Sequence, residues 1–208
     1  MSHGTFSQKS VAVPQVKTKY RRIKTALPTP QSRAVFKALE KYEARSMHGQ
    51  LPMVWDKARG FQVSDIYGNT WIDFTSTIFV ANAGHGNPKV IAALKKQLSR
   101  PLLHTYTYMS DIRAQFLKKL IAFTPAFCEK AFLMSSGTEA SECAIKLIRM
   151  HGQEISKDKL GIVSFIANMH GRTMGAEMLR GTPETSPWIG FHDPHMYHIP
   201  FPHQWEAT

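Results

Sequence analysis

The chain has 208 residues, of which 43% are hydrophobic and 20% charged, as is usual for a globular protein that buries a core. Its longest weakly polar stretch, residues 72–84, is too short and too polar to span a bilayer, which argues against a membrane protein. Two cysteines, Cys128 and Cys143, are too few for a disulfide framework. We therefore expect a reduced, cytoplasmic protein.

The net charge of +11 is concentrated near the N-terminus, where residues 1–39 contain eight lysines or arginines and no acidic residue. Such charge can attract nucleic acid or an anionic surface. Among the basic residues, however, Tyr20 supplies the only interleaved aromatic ring. We expect a solvated, flexible basic arm over residues 1–26, in preference to a targeting segment, and neither a nucleic-acid nor a membrane partner.

The first elements after the arm are a helix and a hairpin. Residues 32–43 have apolar side chains at helical spacing. Alternation over residues 61–65, the turn Tyr67-Gly68-Asn69 and a return strand through residues 72–74 predict a β-hairpin.

Two amphipathic helices come next in the chain. Asn87 can cap a helix that has Pro88 in its first position. The second helix begins at about Asp111, from which apolar residues recur at helical spacing as far as Ile121.

Beyond these helices the pattern changes to strand, helix, strand. Residues 130–134 and 160–167 are predicted as strands, and residues 139–150 as a helix that ends at Gly152. This order is typical of a parallel βαβ unit, so the segment is expected to belong to a different subdomain from the hairpin.

The helix of this unit begins with the motif Ser136-Gly137-Thr138-Glu139. Ser136 and Glu139 have the spacing of a capping box. Gly137 has no side chain to keep an anion from the backbone, so free N–H groups, the Thr138 hydroxyl and the helix dipole together favour a phosphate. A capped helix start without any ligand is the commoner explanation of such a motif alone.

Several ordered motifs resemble the class III aminotransferases, a family that includes ornithine, acetylornithine and 4-aminobutyrate aminotransferases. They are Asp65-Ile-Tyr-Gly68-Asn69, Asn82-Ala-Gly84-His85, Ser136-Gly137-Thr138-Glu139-Ala140 and His170-Gly171-Arg172-Thr173. The resemblance implies an α/β protein with the type I fold of pyridoxal-phosphate (PLP)-dependent transferases, and a homodimer at full length. Residues 27–100 would form the N-terminal segment of the small domain, and residues 101–208 an incomplete first part of the large domain.

Carried over by position, the resemblance assigns cofactor binding to Ser136, Gly137, Thr138, Met169 and His170. Met169 stands where the family has a phenylalanine or tyrosine stacked on the pyridine ring, and a thioether can also pack on an aromatic face. For His170, hydrogen bonding to backbone at a strand end is an equal alternative. Arg172 matches the arginine that binds the substrate carboxylate, and the planar fork of its guanidinium suits that group.

The family also requires a lysine that forms a Schiff base with the cofactor and a carboxylate that holds the pyridine nitrogen protonated. No lysine follows Lys159, the earlier ones match no family motif, and the later acids lie outside the acidic motif. We therefore expect no catalytic residue in this chain. It is interpreted as a truncated N-terminal fragment, inactive alone and prone to self-association.

Four histidines near the C-terminus suggest a metal site: His192, His195, His198 and His203. The prolines among them prevent a regular helix, and no cysteine or acidic cluster joins them. We expect a loop and no metal.

The favoured function is transamination between an amino or ω-amino acid and a 2-oxo acid. Two alternatives stay open at this stage: a non-catalytic module that binds PLP or phosphate or forms dimers, and a basic nucleic-acid-binding protein.

Overall fold

The computed structural model describes residues 6–44 and 50–202. The chain divides into two compact units between Tyr106 and Thr107. None of the described helices has both the length and the apolar character needed to cross a bilayer.

The first unit is built on a five-stranded antiparallel sheet with the order β1-β2-β5-β4-β3. The strands are β1 (Val16–Lys17), β2 (Arg22–Ile23), β3 (Lys57–Arg59), β4 (Gln62–Ser64) and β5 (Thr70–Ile72). The predicted hairpin is confirmed as β4 and β5, in which Val63 pairs with Trp71. Val63 is 1% exposed, as the alternation along the strand requires.

Residues 6–26 do not form the separate flexible arm that the charge pattern predicted. They supply β1 and β2, and Val11 pairs with Leu27 through backbone hydrogen bonds of 2.9 and 3.0 Å. The reason is an apolar residue among the charges: Ile23 is only 3% exposed. Its burial on the sheet stabilises the segment, and the lysines and arginines around it stay in solvent.

Helices complete the first unit. A short 3-10 helix, Pro30–Ser32, leads into α1 (Arg33–Tyr42), which confirms the predicted first helix. After a single turn labelled α2 (Ser76–Phe79), whose four residues all have left-handed φ angles of 47–67°, comes the α-helix α3 (Pro88–Leu98). The predicted cap is also confirmed, because the Asn87 side chain accepts hydrogen bonds from the N–H groups of the first turn, the shorter being 3.0 Å.

The described part of the second unit contains a parallel pair of strands, three α-helices and two 3-10 helices, Pro183–Thr185 and Pro187–Ile189. Its elements are α4 (Asp111–Phe123), α5 (Gly137–Ile155), β6 (Ile162–Phe165), α6 (Met174–Met178) and β7 (Met196–Ile199). Strands β6 and β7 run parallel, with Ile162 opposite Met196. The buried core residues of the unit come from β6 and from the connection between the strands: Ile162, Ala176, Leu179 and Ile189.

Two details of the predicted βαβ unit are wrong. Residues 130–134 are not a strand, because no described strand lies beside them, and Phe132 is 70% exposed. Helix α5 does not end at Gly152 but continues to Ile155. A side chain at Gly152 would overlap the Lys159 carbonyl, so this glycine permits a close approach of the chain instead of ending the helix.

The parallel partner of β6 is therefore β7, which the sequence did not predict. His198 lies in this strand and not in the expected loop. The Nε2 atom of His198 is 3.0 Å from the Met178 carbonyl oxygen.

Candidate functional site

The N-terminus of α5 is organised by the predicted capping box, which is confirmed. The Ser136 hydroxyl accepts a hydrogen bond of 3.2 Å from the Glu139 N–H. In return, the Glu139 carboxylate accepts bonds from the N–H groups of Ser135 and Ser136 at 2.9 and 3.1 Å. The cap fixes where the helix begins and how its first turn is directed.

Two donors of this first turn remain free. Within the described residues, the backbone N–H groups of Gly137 and Thr138 have no hydrogen-bond acceptor. A Cβ atom added to Gly137 would meet nothing within 4 Å. The positive end of the 19-residue helix therefore has open space in front of it, a combination that favours an anion.

The loop after β6 packs against this helix. A Cβ atom on Gly171 would lie 2.6 Å from Oγ1 and Cγ2 of Thr138, so the loop backbone and the threonine side chain are in direct contact. The structure thus brings together the two motifs to which the sequence assigned ligand binding, although 33 positions separate Thr138 from Gly171 in the chain.

The three side chains of the loop differ in their surroundings. Met169 is 60% exposed. The Nε2 atom of His170 is buried and has no hydrogen-bond partner within residues 6–44 and 50–202. Arg172 is exposed, and its guanidinium makes no hydrogen bond or ion pair in that part of the chain. A free guanidinium close to a helix N-terminus is unfavourable without an anion to bind.

A contact that the sequence did not predict holds the loop in place. Glu142 of α5 accepts hydrogen bonds from the Thr173 hydroxyl and from the Ala176 N–H, the latter at 2.9 Å. The available signal was the spacing, since Glu142 follows Thr138 by four positions and so lies on the same helix face.

An ion pair anchors the other end of α5. Arg149 Nη2 lies 2.7 Å from Asp193 Oδ2, and Arg149 Nε donates to the Leu160 carbonyl at 3.3 Å. Burial by itself would raise the pKa of Asp193, but hydrogen bonds from the His195 N–H and from Arg149 outweigh it, so the pKa lies below its usual value.

The first unit contains a hydrogen-bonded pair of titratable side chains, which was also missed. His85 Nε2 is 2.7 Å from Asp73 Oδ2. The hydrogen bond with His85, assisted by bonds from Thr75, lowers the pKa of Asp73 from 3.8 to about 2. His85 belongs to one of the motifs above, but Asp73 lies 12 positions before it in the chain, and this separation gave no sign that the two side chains pair.

The described residues contain no group of three or more histidine, cysteine or acidic side chains that could hold a metal ion. His203 lies outside the described residues.

A family model described as aminotransferase class-III matches residues 43–207. The chain belongs to this family. Among curated relatives, it is 35% identical to an acetylornithine aminotransferase of Methanocaldococcus jannaschii over 167 residues, which are 78% of this chain and 41% of the relative. It is 38% identical to an ornithine aminotransferase of Saccharomyces cerevisiae over 149 residues, which are 70% of this chain and 34% of the relative.

Solved structures agree with this family. The ornithine aminotransferase of Toxoplasma gondii superposes with a TM-score of 0.73 at 27% identity, covering 84% of this chain and 41% of that one. A second structure of the T. gondii enzyme is similar, with a TM-score of 0.73 and 26% identity over 82% of this chain and 40% of that one. The predicted type I fold is thereby confirmed. The chain spans well under half the length of each of these proteins.

Proposed function

We propose that this chain supplies the phosphate-binding helix and the carboxylate-binding arginine of a PLP-dependent transaminase. The reaction would move an amino group between an amino or ω-amino acid and a 2-oxo acid. Family membership supports the reaction class. For the cofactor, one T. gondii ornithine aminotransferase structure reports partial occupancy of PLP at its active site.

The observation that carries the proposal is the open N-terminus of α5. The N–H groups of Gly137 and Thr138 have no acceptor among the described residues, and a Cβ atom on Gly137 would meet nothing within 4 Å, so a phosphate could bind these donors without displacing a protein acceptor. The Thr138 hydroxyl offers a further hydrogen bond, and Ser136 contributes by capping the turn. When bound, PLP supplies an electron sink for transamination.

The neighbouring loop supplies the remaining groups. The exposed thioether of Met169 is available to pack on a pyridine face, where sulfur–aromatic contacts contribute about 0.3–1.5 kcal/mol. The buried Nε2 of His170 lacks a protein partner and is assigned to the wall of the ring pocket. The free guanidinium of Arg172 would bind a substrate carboxylate through two parallel hydrogen bonds.

We assign no catalytic lysine to this chain. Each lysine of the second unit is exposed, on the solvent side of a helix or in a loop: Lys118, Lys119, Lys130, Lys146, Lys157 and Lys159. A lysine that attacks a carbonyl group is usually desolvated, so that its amine is neutral. We therefore expect the 208-residue chain to bind PLP without forming a reducible covalent bond between the cofactor and any of its lysines.

The proposal is tested by replacing Gly137 with leucine in the full chain. Because a Cβ atom at Gly137 would meet no atom of another segment within 4 Å, we expect Gly137→Leu to fold normally while blocking the approach to the free N–H groups. We expect PLP binding, measured by fluorescence titration and competed by inorganic phosphate, to weaken at least about tenfold, or 1.4 kcal/mol.

The matched control is Gln153→Leu, which adds an apolar side chain at an exposed position near the other end of α5. It should bind PLP like the wild type. Equal PLP binding by Gly137→Leu and wild type would contradict the proposal.

A further inference from the structure

The loop that carries Arg172 is attached to α5 at two points with the same spacing. Thr138 and Glu142 are four positions apart in the helix and therefore lie on one face, a turn apart. Gly171 and Gly175 are also four positions apart, and each lies against one of these two side chains. We call the four residues the clasp.

The first half of the clasp is the contact of Gly171 with Thr138. Gly171 has a φ of +143°, which favours glycine. A Cβ atom there would lie 2.6 Å from the Thr138 hydroxyl oxygen, well inside the distance of ordinary van der Waals contact. The loop backbone thus packs directly against the Thr138 side chain, whose hydroxyl belongs to the proposed phosphate site.

The second half is the contact of Glu142 with the first turn of α6. Thr173 precedes this helix, but its side chain caps none of the helix N–H groups. The Glu142 carboxylate does so instead, through the Ala176 N–H at 2.9 Å and the Thr173 hydroxyl. A side chain at Gly175 would overlap this carboxylate. Bonds to an ionised acceptor are among the stronger hydrogen bonds.

Arg172 lies between the two halves of the clasp, directly after Gly171 and directly before Thr173. Its backbone is therefore held from both sides, while its side chain is exposed. A ligand that carries a phosphate and a carboxylate must reach both the N-terminus of α5 and Arg172. If the separation between these two groups is already fixed before binding, less conformational entropy is lost when both ends of the ligand bind at once.

We propose that Glu142, assisted by Gly171, is a positioning residue that holds Arg172 at the separation from the α5 N-terminus required by such two-ended ligands. This inference rests on the proposed function, since it assumes that α5 binds the phosphate and Arg172 the carboxylate. Glu142 itself acts through the loop and touches neither end of the ligand.

The test compares two ligands that differ only at one end. Pyridoxamine phosphate carries the phosphate alone. N-phosphopyridoxyl-L-glutamate adds an amino acid with a carboxylate at each end, so that one of them can reach Arg172 in either orientation. Calorimetry on the full chain gives the affinity gain, defined as the ratio of the two dissociation constants.

We expect the wild type to bind the glutamate adduct more tightly and Glu142→Ala to lower the affinity gain about tenfold. Binding of pyridoxamine phosphate to Glu142→Ala should change by less than about threefold, because the α5 N-terminus keeps its own cap. Glu142→Gln retains one acceptor oxygen and should give an intermediate loss. This second variant allows the test to proceed if Glu142→Ala does not fold.

Glu154→Ala is the control, because Glu154 is an exposed acid on the same helix whose ion-pair partner among the described residues is His151 at 3.5 Å. It should leave the affinity gain unchanged. An affinity gain unchanged in the folded Glu142 variants, or an equal weakening of both ligands, would overturn the positioning role.

Failure of the proposed function has a different signature. If the wild type binds pyridoxamine phosphate but gains nothing from the adduct, or if it binds neither ligand, the assignment of Arg172 or of α5 is wrong, and the inference falls with it.

Discussion

Two polar clusters at motif positions, one in each unit, differ in how completely their hydrogen bonds are satisfied. In the first unit, the turn between β4 and β5 is organised by Asp65 and Asn69, which are 7% and 0% exposed. In the second unit, the turn at Gly137 and Thr138 is largely exposed and keeps free donors. The same kind of motif therefore forms a closed hydrogen-bond network in one unit and keeps unsatisfied donors in the other, where we propose that a ligand binds.

The cluster of the first unit is closed on itself. Asp65 Oδ1 accepts from the Asn69 N–H at 2.9 Å, and Asn69 Nδ2 donates to Asp65 Oδ2 at 2.7 Å. The Asn69 amide also binds the N-terminal segment, through the Lys24 N–H at 2.8 Å and the Thr25 hydroxyl at 2.8 Å. No capacity is left for a ligand, so the cluster serves to join β2 to the hairpin.

The difference teaches how to separate structural from functional polar residues when both belong to family motifs. A buried cluster in which every donor has an acceptor stabilises the fold. A site with ordered but unsatisfied donors can form hydrogen bonds with a ligand that supplies the acceptors. Perturbing the first should change stability, and perturbing the second should change affinity.

The largest expected effect is on the closed cluster. Asn69→Ala removes hydrogen bonds from Asp65 and from the backbone of residues 24–25, leaving buried groups without partners. We expect the free energy of unfolding to fall by about 3 kcal/mol, measured by urea denaturation followed by tryptophan fluorescence. Gln62→Ala, which loses only an exposed bond to the Tyr20 carbonyl, should cost under about 1 kcal/mol. Similar losses of unfolding free energy for both variants would contradict the structural role assigned to the closed cluster.

A smaller effect is expected at the cap of the open site. Ser136→Ala removes the acceptor for the Glu139 N–H and should reduce stability by about 1 kcal/mol, with weaker phosphate binding because the first turn frays. The control is Ser141→Ala, whose hydroxyl bonds only the Gly137 carbonyl inside the same helix and whose loss should be nearly neutral. Thermal melting and phosphate titration would measure the two properties. A cap variant that loses neither stability nor affinity would contradict this view of the site.

The smallest effect is confined to acid pH and concerns Asp73. Because the pKa of Asp73 falls from 3.8 to about 2 on folding, the native state favours the carboxylate. The pair with His85 therefore contributes its full stability above about pH 4, and that contribution is lost as the pH falls towards 2. In Asp73→Asn, acid denaturation followed by circular dichroism should lack this part of the pH dependence. If wild type and variant show the same dependence between pH 4 and 2, the ion pair does not contribute in this way.

The sequence alone determined the elements that are defined within a few residues. Asn87 and Pro88 predict the start of α3, Ser136 and Glu139 predict that of α5, and the residues around Gly68 predict the hairpin turn. Caps and turns are made by groups at most four positions apart, so the local chain contains all the information they need. The motifs also predict which turn would bind an anion, because free donors follow from the geometry of any helix start.

Only the tertiary structure decided which segments lie side by side. Residues 130–134 have the composition of a strand but pair with no strand in the described part of the chain, whereas residues 196–199 pair with β6 despite a less regular pattern. Gly152 and Gly171 look like helix or loop breakers, yet their function is to let another segment approach. A strand needs a second strand to pair with, and a close contact needs two surfaces. The local spacing of residues predicts neither of these partners.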